Sequence, residues 1–138
     1  MPFVLDASIA ACWALEDERH EMAEAALSRL GGDEAVVPAL WWFEVRNILV
    51  VNERRKRIDE ARSSAFLRFL NALPIRLDRD PDETRVLHLA RKHRLSVYDA
   101  SYLELALRDS LPLATLDADL SSAACAEGAS IVSARNPR

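Results

Sequence analysis

The chain has 138 residues, 50% of them hydrophobic, and a formal net charge of -4 at pH 7. A chain of this length usually forms one domain that buries roughly two-thirds of its unfolded surface. The negative charge argues against a general nucleic-acid binder, which is normally basic. A nucleic acid would still bind if a metal ion and a local basic rim offset an acidic centre.

Targeting and redox signals are sparse. The N-terminus lacks a basic region followed by a long apolar run, so we expect no signal peptide. No apolar run approaches the ~20 residues that span a membrane, so we expect no membrane segment. Cys12 and Cys125 show no metal-type spacing, which favours a cytoplasmic protein with reduced thiols. We expect one domain over residues 1–134 and a tail over residues 135–138.

Short apolar runs alternate with helical patterns along the chain. The apolar runs predict strands at residues 3–5, 35–37, 75–77, 113–116 and 131–132. Helical spacing predicts a helix that starts at Asp6 and further helices over about residues 19–30, 40–55, 58–72, 80–92, 98–108 and 120–127. This alternation predicts an α/β fold with a parallel sheet covered by helices on both faces.

Acidic residues stand at the ends of otherwise apolar segments. Asp6 and Asp117 each follow a predicted strand, and Asp99 opens a predicted helix. Because the functional crevice of an open parallel sheet lies beyond the carboxyl ends of its strands, we expect these three acids to converge. Glu44 stands inside an apolar helix, where its charge lacks an evident partner, and we predict it as a fourth member.

Four carboxylates that converge in a partly buried pocket must be either protonated or neutralised by a cation. Two of them about 5 Å apart repel by roughly 3 kcal/mol at an effective dielectric of ~20. A donor set made only of oxygen atoms favours Mg²⁺ or Mn²⁺ over zinc. Such an ion activates water and stabilises charge on a phosphate, so the sequence predicts phosphodiester hydrolysis without a Ser, His or Cys nucleophile.

Each acid also has a plain structural interpretation. Asp6 and Asp99 are well placed to cap helices. Glu44 is either a ligand or a surface residue paired with Arg46 or Arg54. We expect Asp119 to cap the last helix, which ranks it as a weaker metal ligand than Asp117.

Polar neighbours of the acids form a second set of candidates. The candidates are Ser8, Asn47 and Thr115, which are either ordinary capping or surface residues or hydrogen-bonded support for the acids. Their positions beside three of the acids favour support, since ligating carboxylates are usually hydrogen-bonded themselves. The basic run at residues 54–57 is either a solvated helix end or a contact for a phosphate backbone or an acidic partner.

Four segments, in this order and at these separations, resemble the PIN-domain family and, within it, the VapC toxins of bacterial toxin-antitoxin pairs. The resemblance covers nearly the whole chain. It rests on Phe3-Val4-Leu5-Asp6-Ala7-Ser8, Val37-Pro38-Ala39-Leu40-Trp41 with Glu44 and Asn47, Tyr98-Asp99-Ala100-Ser101-Tyr102-Leu103-Glu104-Leu105-Ala106, and Leu111-Pro112-Leu113-Ala114-Thr115-Leu116-Asp117.

The resemblance implies a three-layer α/β/α sandwich around a parallel sheet of about five short strands. It implies a Mg²⁺- or Mn²⁺-dependent endoribonuclease that cuts RNA, commonly a tRNA or ribosomal RNA. It also implies a homodimer and a VapB-type antitoxin whose C-terminal segment covers the active cleft. The positions that match the family are the four acids Asp6, Glu44, Asp99 and Asp117, the further acid Asp119, and the supporting residues Ser8, Asn47 and Thr115.

Two other functions remain open from the residues. A haloacid-dehalogenase-like phosphatase also places an aspartate after its first strand, but it needs a second aspartate where Ser8 stands and a lysine before Asp117. A non-catalytic PIN-fold binding module would use the acids only as helix caps. Saturable binding of Mn²⁺ at the acids distinguishes such a module from a nuclease.

Overall fold

The computed structural model describes residues 1–18 and 20–133, and its centre is a four-stranded parallel sheet. The strands lie in the spatial order β3-β2-β1-β4. A single bridge joins Ile131 to Leu113, where the sequence predicts a fifth strand. The strands are β1 (Phe3–Leu5), β2 (Ala35–Pro38), β3 (Ile75–Asp78) and β4 (Leu113–Ala114).

Seven helices surround this sheet in the part of the chain that the structure describes. They are α1 (Ala7–Ala14), α2 (Glu21–Arg29), α3 (Leu40–Arg54), α4 (Glu60–Asn71), α5 (Glu83–His93), α6 (Val97–Asp109) and α7 (Ala118–Ala126). Their observed starts and ends lie within three residues of the predicted ones, apart from residue 19, which is outside the described residues. The predicted α/β fold with a parallel sheet is confirmed.

Strand β1 is fully buried, as expected for a central strand with neighbours on both sides. Strand β4 ends two residues earlier than predicted. The backbone N–H of Leu116 donates to the hydroxyl of Ser8, 3.1 Å away, instead of continuing the ladder. The chain therefore leaves the sheet directly after Ala114, and this departure shapes the carboxyl edge.

Helix α6 is buried through its middle turns, where six residues from Ala100 to Ala106 are enclosed. It contacts both β1 and β2 and packs along α5. Glu104 is only 1% exposed, and its carboxylate accepts hydrogen bonds from Nε and Nη2 of Arg108. Arg108 also donates two hydrogen bonds to the carboxylate of Asp78. This network ties α6 to the end of the edge strand β3.

The sequence also predicts a C-terminal tail and no membrane-spanning segment. The tail predicted over residues 135–138 lies outside the described residues, as does residue 134. None of the helices within residues 1–18 and 20–133 has the length and apolar character needed to cross a membrane.

Candidate active site

Asp6 lies at the junction between β1 and α1 and is 6% exposed. It occupies the N-cap position of α1, but its side chain makes no capping hydrogen bond. Its Oδ2 instead accepts hydrogen bonds from Ser8 Oγ at 2.8 Å and from Thr115 Oγ1 at 2.6 Å. The carboxylate is therefore held chiefly by two hydroxyl groups, and the backbone of Ser8 contributes less to its stabilisation.

The same two hydroxyls connect the loop after β1 with the loop after β4. Thr115 Oγ1 accepts the backbone N–H of Asp117 at 3.0 Å, and Ser8 Oγ accepts the N–H of Leu116. Each hydroxyl thus donates to Asp6 and accepts from the backbone beside Asp117. These hydrogen bonds hold the segment that carries Asp117 against the segment that carries Asp6.

Asp117, not Asp119, caps α7. Asp117 Oδ1 accepts the backbone N–H of Leu120 at 2.9 Å, whereas Asp119 lies in the first turn of the helix. The prediction that Asp119 caps the last helix is wrong, because α7 begins at Ala118, two residues earlier than the apolar pattern indicates. An ionised carboxylate has two acceptor oxygens, so capping through Oδ1 leaves Oδ2 able to serve another partner.

Asp99 lies in the first turn of α6, while Ser96 holds the capping position and accepts the Asp99 backbone N–H at 3.0 Å. Burial is the main cause that raises the pKa of the Asp99 carboxyl above its ordinary value. The negative charges of Asp117 and Asp6 raise this pKa further. Asp99 therefore lies within electrostatic reach of Asp117 and Asp6 and does not serve as the helix cap.

Glu44 projects from α3 and is partly buried. Its Oε1 accepts a hydrogen bond of 2.5 Å from the Tyr102 hydroxyl. Burial raises the pKa of Glu44 and outweighs the lowering by that hydrogen bond, while the charges of Asp6 and Asp99 raise it further. The guanidinium of Arg46 lies instead over the Trp42 ring, 4.1 Å from its centroid, so the alternative pairing of Glu44 with Arg46 is not found.

The acids therefore share one electrostatic neighbourhood at the carboxyl edge of the sheet. Within the described residues, however, no three Asp, Glu, His or Cys side chains stand close enough to hold a metal ion as they are placed. Because like charges repel, we expect the carboxylates to stand farther apart without a bound cation than when they coordinate one. The donor chemistry fits a hard divalent ion, and rotation of the side chains would be needed to bring the oxygens together.

Comparison with known proteins gives the family of this fold and site. The model of the PIN domain matches residues 3–125. The chain belongs to the PIN-domain family.

One sequence relative and one solved structure are similar to this PIN domain. The chain is 35% identical over 124 residues to ribonuclease VapC3 of Pyrobaculum aerophilum, and the match covers 87% of this chain and 92% of that protein. Its fold is similar to the crystal structure of PAE2754 from Pyrobaculum aerophilum, with a TM-score of 0.69 and 24% identity. This second match covers 89% of this chain and 84% of the other, and it bears on the fold alone.

The predicted supporting residues of the PIN domain differ in their contacts. Ser8 and Thr115 both hold Asp6. Asn47 is exposed on α3 one turn after Glu44, and the hydrogen bonds found among the described residues do not include its side chain. A supporting role for Asn47 stays a prediction.

The basic run at residues 54–57 is partly engaged within the PIN domain itself. Arg57 Nη2 lies 2.7 Å from Asp17 Oδ1 and 3.1 Å from Glu18 Oε1. Its Nη1 donates to Asn52 Oδ1 at 2.9 Å. Arg57 therefore fastens the turn after α3 to the loop after α1.

Sequence reasoning missed Tyr102, whose hydroxyl reaches Glu44 from the neighbouring helix. Burial, followed by the charges of Asp6 and Glu44, raises the pKa of Tyr102, while a backbone hydrogen bond from Ala7 opposes this. The sequence does hold a signal for it: Tyr102 stands three residues after Asp99, which places both on one face of α6.

Proposed function

We propose that this PIN domain is a metal-dependent endoribonuclease that hydrolyses RNA phosphodiester bonds and acts as the toxin of a VapBC-type pair. One observation carries the proposal: Asp6, Glu44, Asp99 and Asp117 share a partly buried neighbourhood at the carboxyl edge of the sheet. The 35% identity to a protein named ribonuclease VapC3 supports the substrate class.

In this proposal the four acids hold a Mg²⁺ or Mn²⁺ ion, with Asp119 as a further ligand candidate. When bound, such an ion supplies an activated water and offsets charge on the scissile phosphate. Thr115 and Ser8 keep Asp6 oriented by donating to its Oδ2. Capping through Asp117 Oδ1 fixes the direction of that carboxylate in the same way.

The contacts of the acids bear on the two alternative functions. Where a haloacid-dehalogenase-like phosphatase needs an acidic side chain, Ser8 offers only a hydroxyl, and that hydroxyl donates to Asp6. A non-catalytic module would use the acids as helix caps. Asp117 does cap α7, but Ser96 caps α6 in place of Asp99, and the Asp6 carboxylate accepts hydrogen bonds from two side-chain hydroxyls. Release of phosphate from small phosphomonoesters without RNA cleavage would support the phosphatase.

The proposal is tested by replacing single acids without changing their shape. The substitutions Asp6→Asn and Asp99→Asn are expected to abolish RNA cleavage and growth inhibition, while circular dichroism shows an intact fold. An asparagine at residue 6 still offers an amide oxygen to Ser8 and Thr115, so the hydrogen-bonded loops are preserved. If either variant cleaved RNA at the parent rate, the catalytic role proposed for that residue would be contradicted.

We further propose that the protein acts in the cytoplasm on a tRNA or ribosomal RNA, as a homodimer controlled by a VapB-like antitoxin. Exposed apolar side chains on α3 support a protein contact, because Phe43 is 68% and Trp42 44% exposed. Light scattering is expected to find a dimer for the parent and a monomer for Phe43→Glu. Sequencing of RNA ends after induction identifies the target.

A further inference from the structure

Tyr102 combines complete burial with a polar contact in the candidate site. Its side chain is 0% exposed, and its hydroxyl donates to Glu44 Oε1 at 2.5 Å. The two residues stand 58 positions apart, on α6 and α3. A tyrosine in a core usually finds a hydrogen-bond partner for its hydroxyl. Here the hydroxyl donates to one of the four acids and also accepts from the backbone of Ala7.

The ring of Tyr102 is enclosed by the core, whereas the Glu44 side chain is less enclosed and has more rotatable bonds. The core around α6 surrounds the ring, so the hydroxyl is presented from one defined place. A glutamate has three rotatable side-chain bonds, and Glu44 is only partly buried. The hydrogen bond therefore selects one orientation from the many that this side chain could adopt.

Helix α6 also places Asp99 three residues before Tyr102, on the same face. One face of α6 thus supplies a carboxylate directly and holds a second carboxylate through a hydroxyl. The arrangement parallels Asp6, which Ser8 and Thr115 hold through their own hydroxyls. Binding through Oε1 leaves Glu44 Oε2 as an acceptor for another partner.

We propose that Tyr102 is a positioning residue that holds the Glu44 carboxylate toward Asp6 and Asp99, in the orientation that a divalent cation requires. This role rests on the proposed function, since it concerns the same four acids. Hydrogen-bond partners that orient metal ligands typically contribute 10- to 100-fold to metal affinity. Tyr102 acts through Glu44 and does not itself touch RNA or the ion.

The test is the affinity for Mn²⁺ alone, measured as free Mn²⁺ by electron paramagnetic resonance. Tyr102→Phe keeps the ring and removes the hydroxyl, and we expect its affinity to fall roughly 10- to 100-fold. Tyr98→Phe is the matched control, because Tyr98 is the only other tyrosine of the chain and is 64% exposed. We expect that control to bind Mn²⁺ like the parent.

A second measurement separates positioning from general support of the fold. In a Glu44→Ala background, adding Tyr102→Phe is expected to cause no further loss of Mn²⁺ affinity, since the hydroxyl has lost the group through which it acts. Cleavage of a quenched RNA oligonucleotide by Tyr102→Phe is expected to recover with excess Mn²⁺. If Tyr102→Phe only weakened the fold, it would still lower Mn²⁺ affinity in the Glu44→Ala background, and excess Mn²⁺ would not restore cleavage.

The outcomes distinguish the two proposals. Parental Mn²⁺ affinity in Tyr102→Phe, or an equal loss with and without Glu44, overturns the role of Tyr102 alone. A parent protein without saturable Mn²⁺ binding overturns the proposed function, and the role of Tyr102 falls with it.

Discussion

Thr115 donates a hydrogen bond of 2.6 Å to Asp6, although 109 positions separate the two residues. Both side chains are buried, and they follow the neighbouring strands β4 and β1. The same hydroxyl accepts the backbone N–H of Asp117. Thr115 is thus the point at which two acids from distant parts of the chain are held together.

Removing that hydroxyl is expected to weaken both the fold and the site. Thr115→Val leaves the buried Asp6 carboxylate and the Asp117 N–H each short of a partner, which typically costs about 1–3 kcal/mol. We expect that loss in urea denaturation, together with slower RNA cleavage. Thr115→Ser keeps the hydroxyl and is the control. Equal stability of the valine and serine variants would contradict this role.

The buried carboxyl of Asp6 is expected to oppose folding of the metal-free protein near neutral pH. Its folded-state pKa is raised above 3.8, mainly by burial, so its favourable contribution is complete below that ordinary pKa and is lost as the pH rises through the folded pKa. Asp6→Asn should therefore be more stable than the parent at pH 7, and the difference should vanish on acidification. Denaturation with chelator across this pH range measures it, and a less stable variant at pH 7 would count against the prediction.

Added metal is expected to stabilise the parent but not a variant that lacks one of the four acids. An ion that binds only the folded state stabilises it by about 2.7 kcal/mol when its concentration is 100 times its dissociation constant. Titration with Mn²⁺ during thermal unfolding should raise the melting temperature of the parent and leave that of Asp99→Asn nearly unchanged. A matching rise in both proteins would place the bound ion elsewhere.

The ion network of α6 is expected to matter for stability. Arg108→Ala leaves Glu104, which is 1% exposed, without its charged partner, and removal of one partner from a buried pair typically costs about 3–5 kcal/mol. Arg76→Ala is the control, because its pair with Glu34 is exposed and such pairs contribute about 0–1 kcal/mol. Similar urea midpoints for the two variants would show that Glu104 finds another partner.

The fold and three of the acids follow from local sequence patterns. Alternation of apolar runs and helices predicts a parallel sheet, and the carboxyl ends of parallel strands share one edge. Asp6 and Asp117 follow strands and Asp99 opens a helix, so their approach is a consequence of topology. Glu44 stood out because its charge interrupts an apolar helix.

Other features depend on contacts between distant parts of the chain. The spacing from Asp99 places Tyr102 on the same face of α6, but no local pattern predicts its hydrogen bond to Glu44, which spans 58 positions. The early end of β4 and the resulting cap by Asp117 arise from side-chain hydrogen bonds to Ser8 and Thr115. Strand order and these long-range bonds emerge only when the chain is folded.

Diffraction from crystals soaked in Mn²⁺ tests the central claim most directly, since the anomalous signal of manganese locates the ion without reference to activity. We expect one strong peak bonded to carboxylate oxygens from Asp6, Glu44, Asp99 and Asp117. Crystals saturated with Mn²⁺ that show no peak among these four side chains would contradict the account.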